Sequence, residues 1–138
     1  MMEYKYAPDF YPPAPVLDVE VTDPLQTKKN QRIKCQLDTG ADITVIPNKT
    51  ISSLRIPLIK VIPVEDYQGK TEDKEVYLAR IFFCNREFIV KIVATPEDTG
   101  LIGRDILNQW IILLDGQEER FSLTQKVWRL WNLLITKT

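Results

Sequence analysis

The stretch Gln36–Pro47, QLDTGADITVIP, decides the fold of this chain. It sets an acid, a hydroxyl residue and a glycine between two short apolar runs, RIKCQL and ITVI. Over Arg32–Leu37, Ile33, Cys35 and Leu37 alternate with Arg32, Lys34 and Gln36, the period of a half-buried strand. That strand delivers Asp38 to a corner where Gly40 can turn the chain sharply and backbone N–H groups can meet a carboxylate. The tripeptide returns at Asp98-Thr99-Gly100, within PEDTGLIGRDIL. Average residue usage yields such a tripeptide in about one chain of this length in forty, so context has to separate the two. Asp98 follows Ala-Thr-Pro-Glu with no apolar lead-in, and we read it as a surface turn.

Composition narrows the chemistry. A chain of 138 residues is one domain, large enough for a single core and small for a two-lobed enzyme. A formal net charge of −1 gives no footprint for nucleic acid or an anionic membrane. The absence of histidine excludes histidine-based triads, Cys/His nucleophile pairs and imidazole metal sites. Cys35 and Cys84 are far apart and in no CxxC arrangement, which argues against a metal site; they read as two buried apolar thiols, with a disulfide as the alternative. The N-terminal MMEYKYAPDFYPPAPV has charges and prolines where a secretory signal would need an apolar core, and no run is long enough to span a bilayer, so the expected location is the cytoplasm and no membrane partner is expected.

Along the chain, residues 1–15 hold Pro8, Pro12, Pro13 and Pro15, a density that opposes helix and ladder pairing, and we read them as an extended arm. Residues 16–124 change to short apolar or alternating runs ended by turn residues, the pattern of an all-β domain. VLDVEV is the first strand, DPLQTKKNQ the turn and RIKCQL the second strand. A short turn or helix follows Pro47. LIKVIPV and EVYLARIFF flank the polar EDYQGKTED around Gly69 as a long hairpin, REFIVKIVA returns after a turn at Cys84-Asn85, and GRDILNQW is the one firm helix. IILLDGQEERFSLT is a hairpin turning at Asp115-Gly116. The tail, 125–138, places Val127, Leu130, Trp131 and Leu134 at helical spacing and suits either packing on its own domain or joining two subunits.

LDTGADITVIP followed downstream by LIGRDIL, with a hairpin between, resembles the retroviral-type aspartic proteases, the retropepsins and their retrotransposon and cellular relatives. The resemblance covers Val16 to Thr124 and leaves the arm and the tail aside. It implies an all-β, single-lobe closed barrel with a flap hairpin and one short helix near 104–110, active as a two-fold homodimer. It also implies an aspartic endopeptidase in which Asp38 is catalytic and the second carboxylate is the Asp38 of another copy, because one lobe already uses the chain between the two tripeptides. No metal and no cofactor are implied.

The resemblance assigns support of the active loop to Thr39, Gly40 and Ala41, with Thr39 bonding across the axis, and an ion pair tying that loop to the helix to Asp42 and Arg104. The flap is carried by Tyr67 and Gly69, although retropepsin flaps are usually richer in glycine. Substrate is expected in extended form, as an added strand, against Ala41, Ile43, Leu101 and Ile102, with apolar or aromatic residues at the cut. The Tyr11-Pro12 bond resembles aromatic-proline bonds favoured by several retropepsins, which makes it a candidate for self-cleavage. Two other readings are a peptide-binding or assembly module that keeps the fold without catalysis, and a domain whose Trp128 and Trp131 tail docks a partner.

Overall fold

The computed structural model describes residues 1–125; the tail expectations at Val127, Trp128, Leu130, Trp131 and Leu134 lie outside them. After β1 (Met2–Lys5), the strands β2 (Val16–Asp23), β3 (Gln26–Leu37) and β4 (Thr44–Pro47) lead into helix α1 (Asn48–Leu54). Then come β5 (Leu58–Glu65), β6 (Thr71–Phe83), β7 (Arg86–Thr95) and β8 (Gly100–Ile102), followed by α2 (Arg104–Leu107), β9 (Ile111–Asp115) and β10 (Arg120–Thr124).

Seven strands form one sheet in the order β2-β3-β8-β4-β7-β6-β5, and β2 also pairs with β6. That extra pairing closes the sheet into a barrel and leaves β5 outside as one leg of a hairpin. Inward residues alternate along the strands: Leu17, Val19 and Val21 on β2 meet Ile33, Cys35 and Leu37 on β3 inside the core. Ile92 and Ile102 are fully buried there, and truncating either to alanine costs about 2 to 5 kcal/mol. The turn into β7 places Cys84 and Asn85 both at positive φ, 51° and 59°, the geometry of a two-residue hairpin loop.

The order of strands positions the loop after β3. Strand β8, far away in sequence, lies between β3 and β4, parallel to β3 at Leu37↔Ile102 and antiparallel to β4 at Val45↔Leu101. The chain from Asp38 to Ile43 must therefore cross over the end of β8.

Several boundaries differ from the sequence reading. Strand β3 begins at Gln26, so part of the expected turn is paired, Asp23 with Gln26, Thr22 with Asn30 and Val21 with Gln31 across a register shift; residues 26–30 are polar and exposed, and a hairpin that extends past the core needs only its backbone ladder. The expected helix over 104–110 is regular only at Arg104–Leu107, with Gln109 N bonding Ile106 O and Trp110 N bonding Leu107 O in tighter turns. Those turns bring Trp110 onto Phe83, with ring centroids 5.6 Å apart. The longer helix is α1, whose Thr50, Ile51 and Leu54 are buried.

The arm also pairs where no pairing was expected. Met2–Lys5 runs antiparallel to β10 in a three-stranded sheet β1-β10-β9. These residues precede Pro8 and keep every N–H donor, so the prolines do not oppose their pairing. Tyr4 stacks on Phe121 at 5.1 Å, and its hydroxyl lies 2.7 Å from Cys84 Sγ. Burial first, then that hydrogen bond, pushes the Tyr4 hydroxyl above the usual tyrosine range. Cys35 and Cys84 are both free thiols, the first buried and the second half-buried. Burial pushes the Cys35 thiol up to about 12.

Candidate active site

The loop that starts at Asp38 is held from below by β8 and from the side by α2. Asp38 N donates to Ile102 O at 2.9 Å, Ala41 N to Asp38 O at 3.2 Å, and Arg104 N to Ala41 O at 2.8 Å. Arg104 Nη1 donates to the Thr39 carbonyl at 2.7 Å. These bonds fix the backbone while Thr39, Gly40 and Asp42 stay exposed and Asp38 half-buried. The Asp38 carboxylate accepts from Gly40 N at 2.9 Å, which holds one oxygen and leaves the group facing solvent.

Beneath the loop lies a contact that sequence reasoning missed. Thr44, with no exposed surface, donates through its hydroxyl to Asp105 Oδ1 at 2.7 Å and through its backbone to Asp105 Oδ2 at 3.1 Å. The same hydroxyl accepts from Gly103 N at 3.1 Å. Asp105 thus ties the start of β4 to the start of α2, and a carboxylate in the first turn of a helix was the available signal. Gly103 lets the backbones meet at this junction: a Cβ there would lie 2.8 Å from Ile43 C and 2.9 Å from Ile43 O.

The expected ion pair between Asp42 and Arg104 is not formed among the described residues. The Arg104 fork is engaged with the Thr39 carbonyl instead, and Asp42 points to solvent. Of the residues expected to meet substrate, Ala41, Ile43 and Leu101 are half-buried beside the loop. Ile102 is corrected to a core residue, with no exposed surface, because strand alternation turns it inward. The Thr39 hydroxyl makes no hydrogen bond among the described residues.

Tyr67 and Gly69 occupy the tip of the β5–β6 hairpin. Asp66 organises this tip, accepting from Gln68 N and Lys70 N at 2.9 Å each, while Gly69 N donates to Asp66 O at 3.0 Å. Leu58, Ile59, Val61 and Val64 along β5 are all exposed, between 40% and 53%, among the described residues.

The second tripeptide does other work. Asp98 pairs with Lys49 on α1 at 2.9 Å, and this hydrogen bond holds its carboxyl below the usual carboxylate range. Gly100 opens β8, where a Cβ would lie 2.7 Å from both Cys35 Sγ and the Val45 carbonyl oxygen. Its glycine allows β8 to slot between β3 and β4.

The retroviral aspartyl protease family profile matches residues 13–115. No curated protein sequence matches. Among solved structures, a retropepsin-like aspartic protease from Rickettsia conorii is similar over 90% of this chain and 89% of its own, with TM-score 0.64 and 17% identity. The simian foamy virus (mac) protease is similar over 67% of this chain and 91% of its own, with TM-score 0.53 and 20% identity. The EIAV protease, solved with the inhibitor HBY-793, is similar over 69% of this chain and 86% of its own, with TM-score 0.51 and 19% identity. At these identities the likeness is one of fold.

Proposed function

This chain belongs to the retroviral aspartyl protease family, and from that premise we propose that it is an aspartic endopeptidase whose reaction centre is shared by two copies. The observation that carries the reading is the Asp38 loop: a solvent-facing carboxylate on a backbone braced by both β8 and α2, set over the end of a barrel. Asp98 is engaged by Lys49 on the surface, so the described residues supply one carboxylate of this kind per chain. A second copy must bring the other.

Two Asp38 carboxylates brought within hydrogen-bond reach cannot both ionise, because like charges at that separation repel too strongly, and they hold one proton between them, as paired carboxylates do throughout the aspartic proteases. The ionised carboxylate takes a proton from a water lying between the pair. The protonated one donates to the substrate carbonyl oxygen as the water oxygen attacks the carbon, giving a tetrahedral diol. Proton transfer to the amide nitrogen then lets the C–N bond break, and the shared proton returns to the pair. No covalent enzyme intermediate forms.

The surrounding residues fit this scheme. We assign Thr39, whose hydroxyl makes no hydrogen bond among the described residues, a bond across the axis that sets the spacing of the carboxylates. Arg104 acts on the Thr39 carbonyl, holding the loop rather than pairing with Asp42. Ala41, Ile43 and Leu101 give apolar surface beside the scissile bond, and the β5–β6 hairpin, with exposed Tyr67 at its tip, closes over an extended peptide. The outer edge of β9 is a candidate seam between copies: among the described residues it has no strand partner beyond β10, and Ile111, Leu113 and Leu114 are 44%, 60% and 52% exposed.

The test is turnover of mixed apolar peptides from acid to neutral pH. Wild type is expected to give a bell-shaped profile, as a pair sharing one proton requires. Asp38→Asn is expected to lose activity at every pH; peptide binding without cleavage by both proteins would contradict the reading and favour a non-catalytic module.

A further inference from the structure

The arm carries an element that the peptidase reading leaves unused. Ala7 and Ala14 form an antiparallel bridge, Ala7 N donating to Ala14 O at 2.8 Å, so the chain between them stands out as a closed loop. Its feet are fixed. Tyr6 N donates to Glu119 O at 2.8 Å, and Leu37 N donates to Pro15 O at 3.0 Å. The second bond continues the β2–β3 ladder past Val16↔Gln36, as far as the residue before Asp38. The loop therefore rises from the end of the barrel that carries the active loop, with one foot beside the candidate catalytic residue.

At its crest Tyr11 is 100% exposed. Among the described residues the only other exposed aromatic is Tyr67, 97% exposed at the flap tip. Every other described aromatic ring is at least partly buried. Among the described residues nothing packs on the Tyr11 ring, while Pro12 and Pro13 beside it stiffen the loop and lower the entropy lost when the ring is covered. The closed loop also does not offer the Tyr11-Pro12 bond as an extended strand in the folded subunit.

We infer that Tyr11 is a specificity-determining residue: the Ala7–Ala14 loop forms a wall of the peptide groove, and the Tyr11 ring packs on an apolar or aromatic side chain of an extended substrate. The inference rests on the peptidase reading. Its occupant is the substrate, because the loop is continuous with the β2–β3 ladder, whose last bond, Leu37 N to Pro15 O, adjoins Asp38.

The experiment compares wild type, Tyr11→Ala, Tyr11→Phe and Asp38→Asn on octapeptides varied one position at a time around the cut. Tyr11→Ala is expected to lower kcat/KM by about tenfold, chiefly through KM, for peptides with a large apolar residue at one position. Peptides with alanine there are expected to change by less than about twofold. Tyr11→Phe is expected to keep the wild-type profile, and the thermal midpoint is expected to stay put in both variants. Unchanged ratios in Tyr11→Ala, or an equal fall across all peptides, would overturn the inference. So would a weaker dimer with unchanged peptide ratios, which would assign the ring to a contact between copies. A wild type without Asp38-dependent cleavage would remove the peptidase reading itself, and the groove wall with it.

Discussion

The molecule contains the same three residues twice, and they do different jobs. At Asp38-Thr39-Gly40 the backbone is bonded to β8 and α2 while the carboxylate is held by a single N–H and faces solvent. At Asp98-Thr99-Gly100 the carboxylate pairs with Lys49 at the surface, and the glycine is buried where β8 passes Cys35 and Val45. In the first case the fold serves the side chain; in the second the tripeptide serves the fold. Chemistry thus follows from where the strand order puts a residue, since both copies flank strands of the same crossing.

Substitutions should separate the two regions. The largest expected effect is Asp38→Asn, which leaves the loop geometry in place and lowers peptide turnover by at least about a thousandfold. Circular dichroism and thermal melting should match wild type, so a variant that retained its rate would break the assignment. The two glycines come next and should split activity from stability. Gly100→Ala forces a Cβ to 2.7 Å from a backbone oxygen and a buried sulfur, and is expected to cost about 3 kcal/mol by denaturant titration. Gly40→Ala places a Cβ 3.1 Å from Asp38 Oδ1, which can move; the expected result is a rate loss of about tenfold or more with little change in melting. A stability loss in Gly40→Ala equal to that of Gly100→Ala would erase the distinction.

The smallest effect is expected at Asp98. A carboxylate held below its usual range stabilises the fold above that range and loses the contribution as pH falls through its lowered value. Because Asp98 is fully exposed, salt screens the pair, and Asp98→Asn should match wild type in rate and in melting at neutral pH. An inactive Asp98→Asn beside an active Asp38→Asn would reverse the roles.

Much of this was legible in the sequence because it is written in short-range pattern. The alternation of Ile33, Cys35 and Leu37, the two flanks of the Gly69 hairpin and the turn at Cys84-Asn85 depend on neighbours a few residues apart. What was missed depends on long-range partners. The pairing of Met2–Lys5 with β10 joins segments far apart in sequence, and the Thr44–Asp105 contact joins residues that share no local motif. The Asp42–Arg104 pair failed for the same reason: complementary charge at matched positions does not reveal that a nearer carbonyl, that of Thr39, takes the guanidinium. Ile102 looked like groove surface because it is apolar beside a catalytic motif, whereas its place in β8 turns it into the core.

The central claim is that one chain holds half a reaction centre, and the dependence of rate on protein concentration tests it most directly. Specific activity, measured beside sedimentation over a dilution series, should fall in step with the dimer fraction and vanish as the chain becomes monomeric. Constant activity per chain at dilutions where sedimentation finds only monomer would contradict it.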